Sequence, residues 1–292
     1  MPKNKNQHYI PRLLLKRFLT QTPRGKHTYR FQRGSDHCEE VGLSQAGAER
    51  YFYRDGIDPG RPDSLDEVLF ATESRIDPII GELCESHRVP ASGSDQFGLM
   101  VRFIHDLYLR TPSMRAQLTS VGPIEMGNVL EDPFFARRRG QVEAELTLMQ
   151  AGPSEQRYLA ELFQVRTGYA TSLSEETQKI LHRNTAGYEH KAVTNQLARR
   201  SWRVLVAPAE GPYFVLGDEP VVVHDQTGRV RTGLKFPMSR VSVSLAPTVA
   251  LQGCYSQIEQ LVMPISALNV RKLNGVFAVS YTHLTLPTIY SV

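Results

Sequence analysis

Four side chains of this 292-residue sequence are hard to read as plain surface, and together they suggest chemistry. His8 stands just ahead of Pro11, at the mouth of an apolar helical pattern. Glu73 falls inside the stripe Leu65, Val68, Leu69, Thr72, Ile76, Ile80 and Leu83. At about 100° per residue, with Leu69 at 0°, Ile76 lies near about −20°, Ile80 near about +20° and Glu73 near about +40°. A carboxylate on that face needs a partner, because a buried charge without one is strongly disfavoured. Arg110 closes a helical pattern ahead of Pro112, four residues after Asp106. Asp218 opens the triplet Asp218-Glu219-Pro220 between two apolar runs, Phe214-Val215-Leu216 and Val221-Val222-Val223.

Gathered in one pocket, these residues would form a hydrolytic site. Glu73 and Asp218 would hold Mg²⁺ or Mn²⁺ through oxygen, as hard cations prefer. His8 would act as general acid or base, with an ordinary pKa near about 6.5 suited to that role. Arg110 would neutralise charge on a phosphoryl group. The expected activity is that of a nucleic-acid-associated, metal-dependent hydrolase of nuclease type. The alternative is a non-catalytic module binding nucleic acid or protein, in which the same residues form a structural salt-bridge network. A buried ion pair often fixes geometry without doing chemistry, Arg110 could pair with Asp106 at i−4, and Asp218 could simply serve an Asx-type turn. A third reading is a purely structural or accessory protein. The sequence has no phosphate-cradling glycine loop, no zincin helix and no nucleophile elbow.

The charge distribution has two readings: a basic arm that touches phosphates, or one that docks on the protein's own acidic body or is simply solvated. The net charge is +4, yet residues 1–35 hold nine Lys and Arg and no Asp or Glu, leaving 25 basic and 30 acidic residues for the remainder. Arg12, Lys16 and Arg17 sit in the first helical pattern and are the candidate contacts to a nucleic-acid backbone, since Lys and Arg displace the counterions around phosphates. No apolar run reaches the roughly 18–20 residues of a membrane span, and mean hydropathy is −0.31. Three scattered cysteines (Cys38, Cys84, Cys254) fit neither a disulfide scaffold nor a zinc cage. A soluble, cytoplasmic protein is therefore expected.

The elements that would position these residues follow from periodicity. Ile10 to Leu19 predicts a helix with Pro11 in its first turn. Residues 28–32 alternate as a strand, and the Asp-, Gly- and Pro-rich stretch 54–63 is a loop. Ser64 and Glu67 form a capping box for a helix that Pro78 should bend or break. A further helix spans about Asp95 to Thr111. More helix is expected at 132–150, at 154–164 and from Ser172 to about Arg200; His182 and His190 on the last read as surface residues. Strands then follow at Trp202–Ala207, Tyr213–Leu216, Val221–His224, Val241–Ala246 and Val249–Gln252, with a turn at Asp225–Gly228. A helix from about Ser266 to Phe277 closes the pattern. The expected class is α+β: a mainly helical N-terminal two-thirds packed with a small, mostly antiparallel sheet in the C-terminal third.

The opening string Gln7-His8-Tyr9-Ile10-Pro11-Arg12-Leu13-Leu14-Leu15-Lys16-Arg17-Phe18 resembles the His-Tyr-x-Pro-x-x-x-Leu-x-x-Phe start of the mainly bacterial domain-of-unknown-function family 4238. Leu65 to Glu73 is similar to its acidic helix, Arg110-Thr111-Pro112 to its Arg-x-Pro helix end, and the stretch from Phe214 through Asp218 to Val221 to its Phe-x-x-x-Asp-x-Pro-Val turn. Leu268-Asn269 to Asn274 resembles its late Asn-bearing helix. The sequence departs from the family with Glu219 where Asn is common. The resemblance implies one domain over residues 1–278 and adds Asn269 to His8, Glu73, Arg110 and Asp218 as a single constellation; it carries no activity. The string from Val279 to Thr288 reads as the product of a transposase-type sequencing adapter, so residues 279–292 are expected to be an artefact that replaces the natural continuation.

Overall fold

The computed structural model describes residues 6–22, 25–32, 37–50, 52–53, 64–119, 191–228, 234, 239–256, 258, 260–279 and 283–286. The helices expected at 132–150 and 154–164, the loop at 54–63, most of the helix from Ser172, and both His182 and His190 lie outside these residues.

The chain enters through strand β1 (Asn6–His8), antiparallel to β5 (Ala48–Arg50), and then helix α1 (Arg12–Arg17). The apolar side of α1 is Leu13, Leu14 and Leu15, all buried. Gly47 makes this corner possible. Its φ is +55°, and a Cβ there would lie 2.7 Å from Ile10 Cβ. Only glycine lets the backbone approach so closely in that conformation. Its carbonyl accepts from Ile10 N at 3.1 Å and fixes the segment that carries His8 and Tyr9.

A second sheet holds β2 (Thr20–Thr22), β3 (Gly25–Gln32), β12 (His283–Leu286) and β7 (Leu216–Gly217), with β4 (Cys38–Gly42) on β3. Helices α2 (Ser64–Ser86), α3 (Asp95–Leu109) and α4 (Pro112–Thr119) follow, and then α5 (Lys191–Ala198). Helix α2 runs through Pro78 without ending. A mid-helix proline costs about 3 kcal/mol. Here Ile76, Ile79, Ile80 and Leu83 are buried on both sides of it, and burying each such side chain returns about 1.5–3 kcal/mol. Ser94 caps α3, accepting from Phe97 N at 3.1 Å.

The central sheet has the order β11 (Val262–Pro264), β6 (Ser201–Val206), β10 (Val249–Cys254), β9 (Arg240–Ala246), β8 (Val221–His224). Its strands pair antiparallel except β11, which is parallel to β6. Alternation divides its side chains. Trp202, Val204, Val221, Val223, Val241, Val243 and Leu251 join α1, α2 and α3 in the larger core. Leu205, Val222 and Ala250 face the other way, against Val270, Leu273, Val276 and Phe277 of the last helix, α6 (Ala267–Val279). The central sheet is thus covered by helices on both faces.

This architecture corrects the expected class. The N-terminal part is not mainly helical: five strands precede α2, with only the six-residue α1 among them. The C-terminal sheet is mixed, with β11 parallel to β6, and further sheets accompany it. The short strands β1, β2, β4 and β5 are three to five residues each, too short for a period-2 pattern to stand out. Their pairing comes from long-range register. Among the described residues, no helix is long and apolar enough to cross a membrane.

Candidate functional site

The end of α3 carries Arg110 into the interior. Its side chain is 1% exposed. Nη1 donates to Glu73 Oε1 at 2.8 Å, and Nε donates to the Tyr9 carbonyl at 2.8 Å. Arg110 therefore ties α2 and α3 to the N-terminal segment. The i−4 pairing with Asp106 does not form. Asp106 Oδ1 instead accepts from Arg102 Nε and from the His105 ring nitrogen Nδ1, each at 2.8 Å. Burial alone would lower the pKa of Arg110; Glu73, with smaller help from Tyr53 and Asp106, outweighs it and holds the guanidinium above its ordinary value. Its Nη2 is buried without a hydrogen-bond partner among the described residues, a local cost of about 1–3 kcal/mol.

His8 sits beside this pair. Its Nε2 lies 3.0 Å from the Leu43 carbonyl. A carbonyl only accepts, so Nε2 carries the proton and Nδ1 the lone pair. Burial lowers the pKa of His8; the Leu43 bond opposes the shift, Arg12 and Arg110 add to it, and Glu73 opposes it. The neutral ring is the favoured state near pH 7.

Asp218 joins through Tyr9. The turn Asp218-Glu219-Pro220 leads from β7 in the second sheet to β8 in the central one, so it is a crossover and not a hairpin. Asp218 is 7% exposed and accepts from the Tyr9 hydroxyl at 3.3 Å. Burial, then the Asp218 charge, pushes the Tyr9 phenol far above its ordinary range. Glu219 points elsewhere. It is hydrogen-bonded to Ser113, and burial raises its pKa, with Asp218 adding to the shift.

His8, Glu73 and Arg110 are thus together, and Asp218 is connected to them through both ends of Tyr9. Asn269 is not part of this cluster. It is exposed on α6 and lines a pocket on the opposite face of the central sheet. On the same helix it is Asn274 that makes the structural bonds. Its Nδ2 donates to the Tyr213 carbonyl at 2.7 Å and its Oδ1 accepts from Val215 N at 3.2 Å, docking α6. Of the three basic candidates, Arg12 and Lys16 are exposed one turn apart on α1. Arg17 is committed internally, to the Leu13 carbonyl at 2.6 Å and to Asp77 Oδ1 at 2.8 Å.

Among the described residues, no group of three or more His, Cys, Asp or Glu is placed to hold a metal ion. Glu73 faces Arg110 and Asp218 faces Tyr9, so the Mg²⁺ or Mn²⁺ pairing of the two carboxylates finds no donor set here. Sequence reasoning missed Tyr9 and Tyr53. Tyr53 N donates to Gln7 Oε1 at 2.7 Å, and the Tyr53 hydroxyl donates to the His8 carbonyl at 3.4 Å. Tyr9 was legible as the aromatic member of the opening string; Tyr53 left no local signal.

Fold and site define a mixed α/β protein whose N-terminal segment is held by a buried arginine-centred network. The chain belongs to the family described as protein of unknown function, DUF4238, which it matches over residues 6–280. No curated protein and no solved structure matches it.

Proposed function

We propose that this protein is a non-catalytic nucleic-acid-binding module, and that His8, Tyr9, Glu73, Arg110 and Asp218 form the network that holds its basic N-terminal segment in place. The observation that supports this reading is the Arg110–Glu73 ion pair at 2.8 Å with the arginine 1% exposed. Both groups that a hydrolase would turn on its substrate are directed at each other, and the remaining carboxylate is directed at Tyr9. A buried arginine without its carboxylate would be severely destabilised, so the pair is needed for folding whether or not a ligand binds. The network leaves the outward side of α1 for contact. Arg12 and Lys16 are exposed there and without a carboxylate partner among the described residues, which suits a phosphate backbone.

Fluorescence anisotropy with labelled single- and double-stranded DNA and RNA, in rising salt and with Mn²⁺ present, tests this reading. Affinity should fall linearly in log–log with salt, and Arg12→Glu/Lys16→Glu should weaken binding without changing the melting temperature. Mn²⁺-dependent cleavage lost in Glu73→Gln would overturn it, as would affinity unchanged in the α1 variant.

A further inference from the structure

The other face of the central sheet holds a separate pocket of about 600 Å³ under α6. Arg203, His224, Arg240 and Gln252 rise from the sheet, Lys272 comes from α6, and no Asp or Glu among the described residues lines it. None of these residues belongs to the Arg110 network, so the pocket is independent of the nucleic-acid-binding surface proposed on α1.

The floor is a hydrogen-bonded row across four adjacent strands. Arg203 on β6 donates from Nε at 3.2 Å and from Nη2 at 2.6 Å to Gln252 Oε1 on β10. Gln252 Nε2 donates to Ser242 Oγ on β9 at 3.2 Å. Ser242 Oγ lies 2.8 Å from His224 Nε2 on β8, and His224 Nδ1 lies 2.9 Å from the Asp225 carbonyl. A carbonyl only accepts, so Nδ1 carries the proton, Nε2 accepts, and the serine hydroxyl donates to it. Every proton in the row then points one way, from the guanidinium to the Asp225 carbonyl. Gln252, Ser242 and His224 are all buried, so this direction is enforced by the cost of leaving any of them unpaired.

The row fixes Arg203 but does not neutralise it. The amide is an uncharged acceptor. Arg240 is cross-strand partner to His224 and has no ion pair or hydrogen bond to a side chain among the described residues. Burial lowers the pKa of Arg203, and Arg240 adds to the shift by like-charge repulsion. The fold holds these like charges close, with no acidic residue among the described ones lining the pocket to relieve them. Lys272 adds a third cation from the helix side. A neutral His224 leaves three formal positive charges around one opening. A single dianion answers that arrangement best, since two guanidinium forks bind phosphate oxygens through charge-assisted bonds.

The rest of the wall is mixed, with polar Gln226, Thr227 and Asn269 beside an apolar set. Leu205, Ile265, Leu273 and Val276 supply that apolar set. About 600 Å³ is well beyond the size of inorganic phosphate and within the roughly 300–1,000 Å³ of small-molecule sites. Gly228, with φ +84°, closes the rim at the turn after β8; a Cβ there would lie 3.3 Å from Val276 Cγ2.

We propose that this pocket binds a phosphomonoester with a nucleoside-sized body, its phosphate between Arg203, Arg240 and Lys272 and its body against Leu205, Ile265 and Leu273. Isothermal titration calorimetry of the full chain with adenosine monophosphate, inorganic phosphate and adenosine tests it. The monophosphate should bind saturably, phosphate alone about tenfold or more weaker, and adenosine weaker still. Arg240→Gln and Lys272→Gln should each weaken the monophosphate about tenfold without lowering the melting temperature, because neither side chain has a partner within the described fold to lose. Lack of a binding heat from a folded sample at millimolar monophosphate would overturn the proposal. So would equal affinity for inorganic phosphate and the monophosphate, or affinity unchanged in both variants.

Discussion

Tyr9 holds two distant parts of the chain with its two ends: its hydroxyl donates to Asp218 at 3.3 Å, and its carbonyl accepts from Arg110 at 2.8 Å. The phenol reaches the crossover between the two larger sheets, and the backbone reaches the end of α3. One residue in the entry segment thereby connects the helical layer to the strand layer. Its ring also packs against Phe52, with centroids 5.2 Å apart. Both polar ends of Tyr9 are thus used within the fold.

The Arg110–Glu73 pair should respond asymmetrically to mutation. Arg110 is 1% exposed and Glu73 19%. Removing the carboxylate strands a buried cation, so Glu73→Leu should cost about 3–5 kcal/mol. Removing the cation leaves a carboxylate that still reaches water, so Arg110→Met should cost less, about 1–3 kcal/mol. The double variant should be more stable than Glu73→Leu alone. Urea denaturation of the three proteins measures this; equal costs for the two single variants would contradict the burial argument.

Tyr9→Phe keeps the ring contact and the carbonyl bond and deletes only the hydroxyl. Asp218 would lose a donor while staying 7% exposed. The expected loss is about 1–3 kcal/mol, above that of a typical exposed hydrogen bond, because the acceptor is a buried carboxylate. A loss of this size in the urea midpoint, with an unchanged slope, is the expected result.

The longer elements were legible because their burial has a simple period. The stripe of α2 predicted that Glu73 would face inward, and the alternation Val241-Ser242-Val243-Ser244 marks a two-faced strand. What the serine side of that strand meets was not legible. Arg203, Ser242, His224 and Gln252 come from four separate segments, and only strand register brings them into a row. Both Asp106 at i−4 and Glu73 on the preceding helix were open as partners of Arg110, and the packing of α2 on α3 supplies Glu73. The strands of the N-terminal part leave a fainter trace in the sequence than its helices do. Strands as short as β1 and β5 carry almost no periodic signal, and it is Gly47 beside Ile10 that allows them to meet.

Acidification should destabilise the protein through His8 and His224. Burial lowers the folded-state pKa of both His8 and His224 from 6.5. The unfolded chain therefore takes up protons first as pH falls through about 6.5, and stability falls until the folded rings also protonate. Glu219 works in the opposite direction, since its raised pKa lets the folded state bind a proton above the ordinary carboxyl value of 4.5. Urea midpoints at about pH 7.5 and about pH 5.5 should show a net loss for the native sequence. His8→Gln and His224→Gln should each reduce that loss; a midpoint that rises on acidification would contradict the assignment.

The two histidines should also be opposite tautomers. His8 must protonate Nε2, because that atom lies 3.0 Å from the Leu43 carbonyl. His224 must protonate Nδ1, because that atom lies 2.9 Å from the Asp225 carbonyl. Long-range ¹H–¹⁵N correlation spectra distinguish a protonated ring nitrogen from one with a lone pair, and at neutral pH each ring should show one of each kind in the assigned order. Ser242→Ala sharpens the test. It removes the hydroxyl that donates to His224 Nε2 but leaves the Asp225 carbonyl in place, so the tautomer should persist while the Nε2 resonance moves towards that of an unbonded lone pair. Loss of the hydroxyl also removes the acceptor of Gln252 Nε2, leaving that buried amide with an unpaired donor at a cost of about 1–3 kcal/mol. An Nε2-protonated His224 in the native protein would reverse the row and release Ser242 to donate towards Gln252, which could no longer present its oxygen to Arg203 and its nitrogen to the serine in the same rotamer.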